Sequence, residues 1–181
     1  MIKTTIVLFF LNILIVYSIQ AQKIYATKTA QIKFESSTST EDFDATNNQV
    51  ESKLSDNGQV EFKLLMKGFV FDNEMMQDHF NGKEYMESDK FPKAEFKGTI
   101  ANIASVNFAK DGAYPIMASG NLTIKGITVK ESAAGLIIIE KGKVNTKSSF
   151  KIKLKDFGIV GKDIGTVISN NITITVSAKY E

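Results

Sequence analysis

Along much of the chain, apolar and polar residues alternate with a period of two. From Gly58 to Met66 the even positions are Val60, Phe62, Leu64 and Met66, set against Gln59, Glu61 and Lys63. Lys143–Lys155 places Val144, Phe150, Ile152 and Leu154 in one phase and five lysines in the other. Ile172–Lys179 sets Ile172, Ile174, Val176 and Ala178 against Thr173, Thr175, Ser177 and Lys179. Such alternation is that of strands with one buried and one wetted face, the habit of antiparallel sheets. Weaker copies run over Ala30–Ser36, Ala94–Asn102 and Tyr114–Ile124, with further strands read at Gln49–Leu54 and Leu136–Glu140. Asp56-Asn57-Gly58, Lys110-Asp111-Gly112 and Lys125-Gly126 punctuate them as turns. Pro92 and Pro115 are each placed at a strand start. Eight or nine strands with short connections predict an all-β fold, an extended antiparallel eight-stranded barrel; a two-sheet sandwich is the alternative. In the barrel, Ile32, Phe34, Phe62, Leu64, Phe96, Ile100, Ile116, Leu122 and Phe150 point inward and their odd-numbered neighbours face water.

One segment breaks the pattern. In Asp72–Glu87 the spacing of Met75, Met76, His79 and Phe80 is helical, with Asp72-Asn73 as cap and Asn81-Gly82 as stop. A short amphipathic lid across one end of the barrel fits it. The N-terminus is different again. Lys3, the apolar run Ile6–Val16 and Ala21 have the order of an export signal, predicting residues 1–21 as a signal peptide and 22–181 as one domain. The run is about half the ~20 residues a spanning helix needs. The expected destination is therefore the periplasm or the exterior.

Composition narrows the chemistry. The chain of 181 residues has a net charge of +2, too balanced for a nucleic-acid binder. It has no cysteine, so neither a disulfide partner nor a thiolate metal site exists. All its cationic side chains are lysine, which removes the bidentate fork that arginine offers to phosphate. With a single histidine, His79, no catalytic constellation assembles itself from the sequence. The acids Asp72, Glu74, Asp78 and Glu84 read as a solvated helix face without calcium-loop spacing. No enzyme, metal or cofactor is expected.

Two features point to a barrel that holds something. Gly98, Ala118 and Gly120 alternate with bulky residues in the inward phase, which either leaves room along the axis or lets the strands coil. Met66, Met75, Met76 and Met86 also crowd one stretch together with Phe69, Phe71, Phe80 and Phe91. Flexible methionines suit irregular apolar ligands, and equally fill gaps under a lid. Phe69, Phe71, Met75, Met76, Phe80 and Phe91 are assigned to an apolar chain, with Phe34, Phe62, Leu64, Phe96 and Phe150 along the wall. His79 and Tyr85 are the candidates for a polar head. Thr146 and Ser148, hydroxyls in the inward phase, are expected to bond to water or protein sooner than to ligand.

The order Phe69-x-Phe71, Met75-x-x-x-His79-Phe80-Asn81, Tyr85-Met86-x-Ser88-x-Lys90-Phe91-Pro92-x-Ala94-x-Phe96-Lys97-Gly98 resembles the YceI-like polyisoprenoid-binding proteins. Ala30–Ser36, Gly120–Gly126 and Lys155–Ile159 are similar to that family's first strand, glycine-bounded turn and the segment before its last strand. The chain departs from the pattern in having only one imidazole and no arginine in the helical stretch. The resemblance implies a lipocalin-like barrel outside the cytoplasm with an amphiphilic isoprenoid or other lipid in a long apolar channel. The expectation is a protein that binds, sequesters or carries such a ligand. The alternative is an envelope stress or structural barrel with a filled core that acts through its surface; a homodimer is compatible with either.

Overall fold

The computed structural model describes residues 22–181; the signal peptide expected at 1–21 lies outside them. The strands are β1 (Ile24–Ser37), β2 (Asp42–Ser55), β3 (Gln59–Leu65), β4 (Val70–Phe71), β5 (Lys93–Ile100), β6 (Gly112–Ile124), β7 (Ile127–Glu140), β8 (Lys143–Lys153) and β9 (Asn171–Lys179). One helix, α1 (Glu74–Asn81), interrupts them. Neighbours pair antiparallel in the order β1-β9-β8-β7-β6-β5-β3-β2, and β1 pairs with β2 to close the ring. The result is an all-β, eight-stranded barrel, with β4 a two-residue stub on β2.

Two of the strands read weakly from the sequence are among the longest. β1 and β2 each run for 14 residues, yet their phase reverses midway. Tyr25 and Thr27 are buried in the first half of β1, Ala30, Phe34 and Ser36 in the second. The register slips once between Thr27 and Ala30 and again between Ala30 and Ile32. Each slip is a bulge, one on β1 and a compensating one on β2, and a bulge moves every later side chain to the other face. Asn47 holds the bulge in β2. Its Oδ1 accepts the Gln49 amide at 2.9 Å, its Nδ2 donates to the Leu65 carbonyl at 3.0 Å, and it is wholly buried.

One local expectation changes. Pro115 lies inside β6, paired with Leu136, three residues beyond where β5 stops pairing. On that free side Asn102 stands in for the missing strand, its Nδ2 donating to the Pro115 carbonyl at 2.9 Å and its Oδ1 accepting from the Met117 amide at 3.0 Å. Proline therefore loses no ladder bond. The lysines of β8 are exposed on the outer wall, so β8 is a surface strand kept wet by lysine, and it is paired on both sides.

The interior divides into two buried clusters. At one end Tyr25, Val50, Leu54, Ile137, Ile139, Val144 and Tyr180 pack together, with Phe62 and Phe96 against them. At the other end Phe34, Phe69, Phe71, Met86, Ile152, Phe157 and Ile159 gather beneath α1. The inward phase expected for the even positions of β3, β5, β6 and β8 holds, since each of those residues belongs to or packs on one of these clusters.

Between β7 and β8 the wall parts. Only Gly135–Glu140 of β7 pairs with β8, leaving its first half without that neighbour. The 3-10 turn Leu154–Phe157 and the irregular chain up to β9 stop this gap. Gly158 comes so close to Ile127 that a Cβ there would stand 2.9 Å from its Cδ1.

Candidate functional site

Asn73 starts the lid. Its side chain caps α1 by accepting the amides of Met75 at 2.9 Å and Met76 at 3.4 Å. Gly82 ends the helix, its amide bonded to the His79 carbonyl at 3.0 Å. No residue of α1 is fully buried. Two half-buried side chains pack the helix onto the cluster, Met76 and Phe80, and Phe80 stacks on Phe34 at 5.5 Å and meets Phe71 at 5.1 Å and Phe69 at 5.7 Å. These side chains converge because β1, β4 and the turn before β4 all present aromatics to the same end of the barrel.

Beneath this helix lies an apolar cavity of about 400 Å³. It falls in the usual range for small-molecule sites, ~300–1000 Å³. Phe34, Leu64, Phe69, Phe71 and Phe150 line its wall, with Met75, Met76, Phe80, Tyr85 and His79 on the lid side. Met75 and His79 line it and are exposed as well, so the cavity opens to solvent at α1. Ten of the thirteen residues assigned from the sequence are thus brought together.

Three are not. Phe62 and Phe96 face each other across β3 and β5 in the opposite, filled half of the barrel. Phe91 lies outside, where Gly126 in the β6–β7 turn approaches its ring and the Lys90 ammonium sits 5.0 Å above it. The inward glycines do not line the cavity either. Gly98 and Gly120 are cross-strand partners, and a Cβ on Gly120 would stand 2.3 Å from the Lys97 carbonyl oxygen. They let two strands approach closely, and the room beside Gly98 is taken by the Phe96 ring. The long channel implied by the family resemblance is here a pocket in one half of the barrel.

Several lining residues escape the sequence pattern. Ile159, Asp163, Val167 and Ile168 form, with Leu154 at the end of the β8 alternation, the side where the wall parts. The signal was present: Phe157-Gly158-Ile159-Val160 and Val167-Ile168 are apolar without the alternation of a strand.

The polar groups are few. The Tyr85 hydroxyl donates to Asp163 Oδ2 at 2.9 Å. Burial, reinforced by that carboxylate, pushes the phenol up to about 12. Glu41 and Asn73 complete the polar lining together with His79. Ser148 donates to the Ala134 carbonyl at 2.7 Å, so its inward hydroxyl is satisfied by protein. Asn81 Oδ1 and Ser88 Oγ are buried without a partner, and the Thr146 hydroxyl is buried beside Tyr180. Among the described residues no group of three or more potential metal ligands occurs, and no helix is long and apolar enough to cross a membrane.

The site is thus an apolar pocket beneath a helical lid in a closed eight-stranded barrel, a strand number that leaves an interior either filled by side chains or wide enough for one small molecule. The family model for the YceI-like domain matches residues 17–180, and the chain belongs to that family. A polyisoprenoid binding domain from Saccharophagus degradans implicated in plant cell wall breakdown superposes with a TM-score of 0.75 at 12% identity, covering 87% of this chain and 97% of that one. BcnA of Burkholderia cenocepacia does so with a TM-score of 0.69 at 16% identity, over 82% and 96% of the two chains. The YceI protein of Campylobacter jejuni gives 0.57 at 15% identity, over 74% and 80%. At these identities the likeness is one of fold. No curated protein matches the chain.

Proposed function

We propose that this protein binds an amphiphilic apolar ligand, a polyisoprenoid or other lipid, in the lid half of the barrel, and sequesters or carries it outside the cytoplasm. The observation that carries this is the pocket of about 400 Å³ walled almost wholly by apolar side chains beneath a helix with no fully buried residue. The similar fold from Saccharophagus degradans is a polyisoprenoid binding domain, which supports the same ligand class. Export is supported by Lys3, Ile6–Val16 and Ala21. His79 is exposed at the mouth, where its role is contact with the ligand's polar end and not catalysis. The filled-core alternative describes only the half of the barrel built around Leu54 and Ile137.

Organic extraction of the natively purified protein followed by mass spectrometry tests the reading. A stoichiometric lipid is expected, and Phe71→Ala should lose on the order of 1–3 kcal/mol of apolar contact with it. A folded Phe71→Ala protein that retains full loading refutes the assignment. N-terminal sequencing of the exported chain should begin at or within a few residues of Gln22.

A further inference from the structure

The charges around the cavity are one-sided. Its lining includes two carboxylates, Glu41 and Asp163, and no lysine, although lysine is the chain's only permanent cation. Neither carboxylate takes part in an ion pair among the described residues. Asp163 accepts the Tyr85 hydroxyl on one oxygen, which leaves lone pairs on both oxygens. The two acids sit on touching loops. Thr38 Oγ1 donates to the Glu41 carbonyl at 3.1 Å and lies 3.5 Å from the Val167 carbonyl, the alternative acceptor of its one proton, and Asp163 lies at the start of the loop that contains Val167.

The surroundings reinforce this sign. Asp72, Glu74 and Asp78 are exposed at or on α1, beside the opening. Two nearby lysines are already engaged, Lys67 with Asp89 at 2.6 Å and Lys90 with Glu87 at 3.6 Å. Lys83 and Lys162 are exposed and do not line the cavity. Low-dielectric walls concentrate such a field on whatever enters. An anionic head brought there would be desolvated beside like charges with no lysine in the lining, which is costly; a donor or a cation would find free acceptors.

We propose that the cavity takes an apolar chain whose head is a non-anionic hydrogen-bond donor, such as an alcohol, primary amide or amine, and rejects the same chain bearing phosphate or diphosphate. This rests on the lumen-binding reading and specifies its ligand class. Glu41 and Asp163 are the residues that impose the choice.

Delipidated protein is titrated with geranylgeraniol, geranylgeranylamine and geranylgeranyl diphosphate, all below their micellar concentrations, at neutral pH and low salt. Native mass spectrometry or calorimetry reads the binding. The alcohol and the amine should bind at least about tenfold more tightly than the diphosphate. The amine's advantage over the alcohol should shrink as salt rises. Glu41→Lys and, separately, Asp163→Asn should each narrow the alcohol-to-diphosphate ratio, with folding checked by circular dichroism. Equal or tighter binding of the diphosphate overturns the proposal. So does a ratio unmoved by both variants. Failure of all three probes to bind the folded wild-type protein would instead overturn the lumen-binding reading itself.

Discussion

Replacing Phe80 by alanine should release the lid while leaving the barrel standing. Phe80 is half-buried and is the residue through which α1 reaches the aromatic cluster, meeting Phe34, Phe69 and Phe71 at ring separations of 5.1 to 5.7 Å. Burying a phenylalanine side chain completely is worth ~1.5–3 kcal/mol, and a half-buried one gains about half of that. Each aromatic pair adds ~0.5–1.5 kcal/mol. Allowing for shared contacts, about 2–4 kcal/mol of local stability depends on this ring. Helix α1 has eight residues, none fully buried, and besides Phe80 it is tied down by the half-buried Met76 and by Gln77 Oε1, which accepts the Phe71 amide at 3.4 Å. A helix this short is marginal on its own. The loss should therefore appear as local opening, on the order of 30- to 1000-fold more frequent, and not as global unfolding. Hydrogen exchange measured by mass spectrometry on a peptide spanning 74–81 reads it directly. Protection there should collapse, while peptides from β7 and β9 keep theirs. Phe34→Ala is the contrast, since Phe34 is buried on β1 at the centre of the cluster and should cost ~3–5 kcal/mol globally. If Phe80→Ala leaves exchange in α1 unchanged, or lowers whole-protein stability as much as Phe34→Ala, Phe80 does not secure a separate lid.

Asn47→Ala should destabilise the barrel by about 2–4 kcal/mol in urea unfolding, because it leaves both the Gln49 amide and the Leu65 carbonyl unpaired in a buried bulge. Gly120→Ala should cost at least ~1–3 kcal/mol, because the new Cβ would lie 2.3 Å from the Lys97 carbonyl and 2.4 Å from the Gly98 Cα, both rigid backbone. At alkaline pH the buried phenols make stability fall. Tyr85 is raised from 10.0 to about 12 chiefly by burial, so the folded state keeps a proton the unfolded chain has lost. Its contribution is complete below pH 10 and is lost as pH rises through about 12. Burial raises Tyr180 as well, so Tyr85→Phe should reduce the slope of unfolding free energy against pH in that window without abolishing it.

The barrel was legible because most of its strands keep one phase from end to end. β3, β8 and β9 alternate cleanly, and a closed ring needs nothing more than such strands with short turns. β1 and β2 read as fragments, Ala30–Ser36 and Gln49–Leu54, because the bulges beside Ala30 and Asn47 reverse the phase and erase the alternation. The lid was legible from its cap and stop, Asn73 and Gly82. Phe62 and Phe96 pass for cavity residues because inward direction shows in a strand's phase, whereas height along the barrel axis does not. Height depends on register, and in this barrel it decides whether an inward ring meets the cavity or the filled half. Asp163 and its loop had no periodicity to reveal them; they face the cavity only because β7 and β8 separate.

That separation explains how one barrel can be both stable and hollow. A barrel filled throughout would leave no room for a ligand, and one hollow throughout would forgo most of its core. Here the end built from Leu54, Ile137, Ile139 and Val144 is packed and its strands are paired on both sides. At the other end the first half of β7 diverges from β8, and the gap is closed by the segment from Leu154 to Ile168, whose side chains reach the cavity. A closure of loop and 3-10 turn lacks the full ladder of a strand pair, so it should open at lower cost than any wall strand. Two covers therefore border the pocket, α1 above and the 154–168 segment beside it, and both lie on the half that does not carry the main core. Under the proposed function, entry of a lipid would then need only local rearrangement and would leave the ring of paired strands intact.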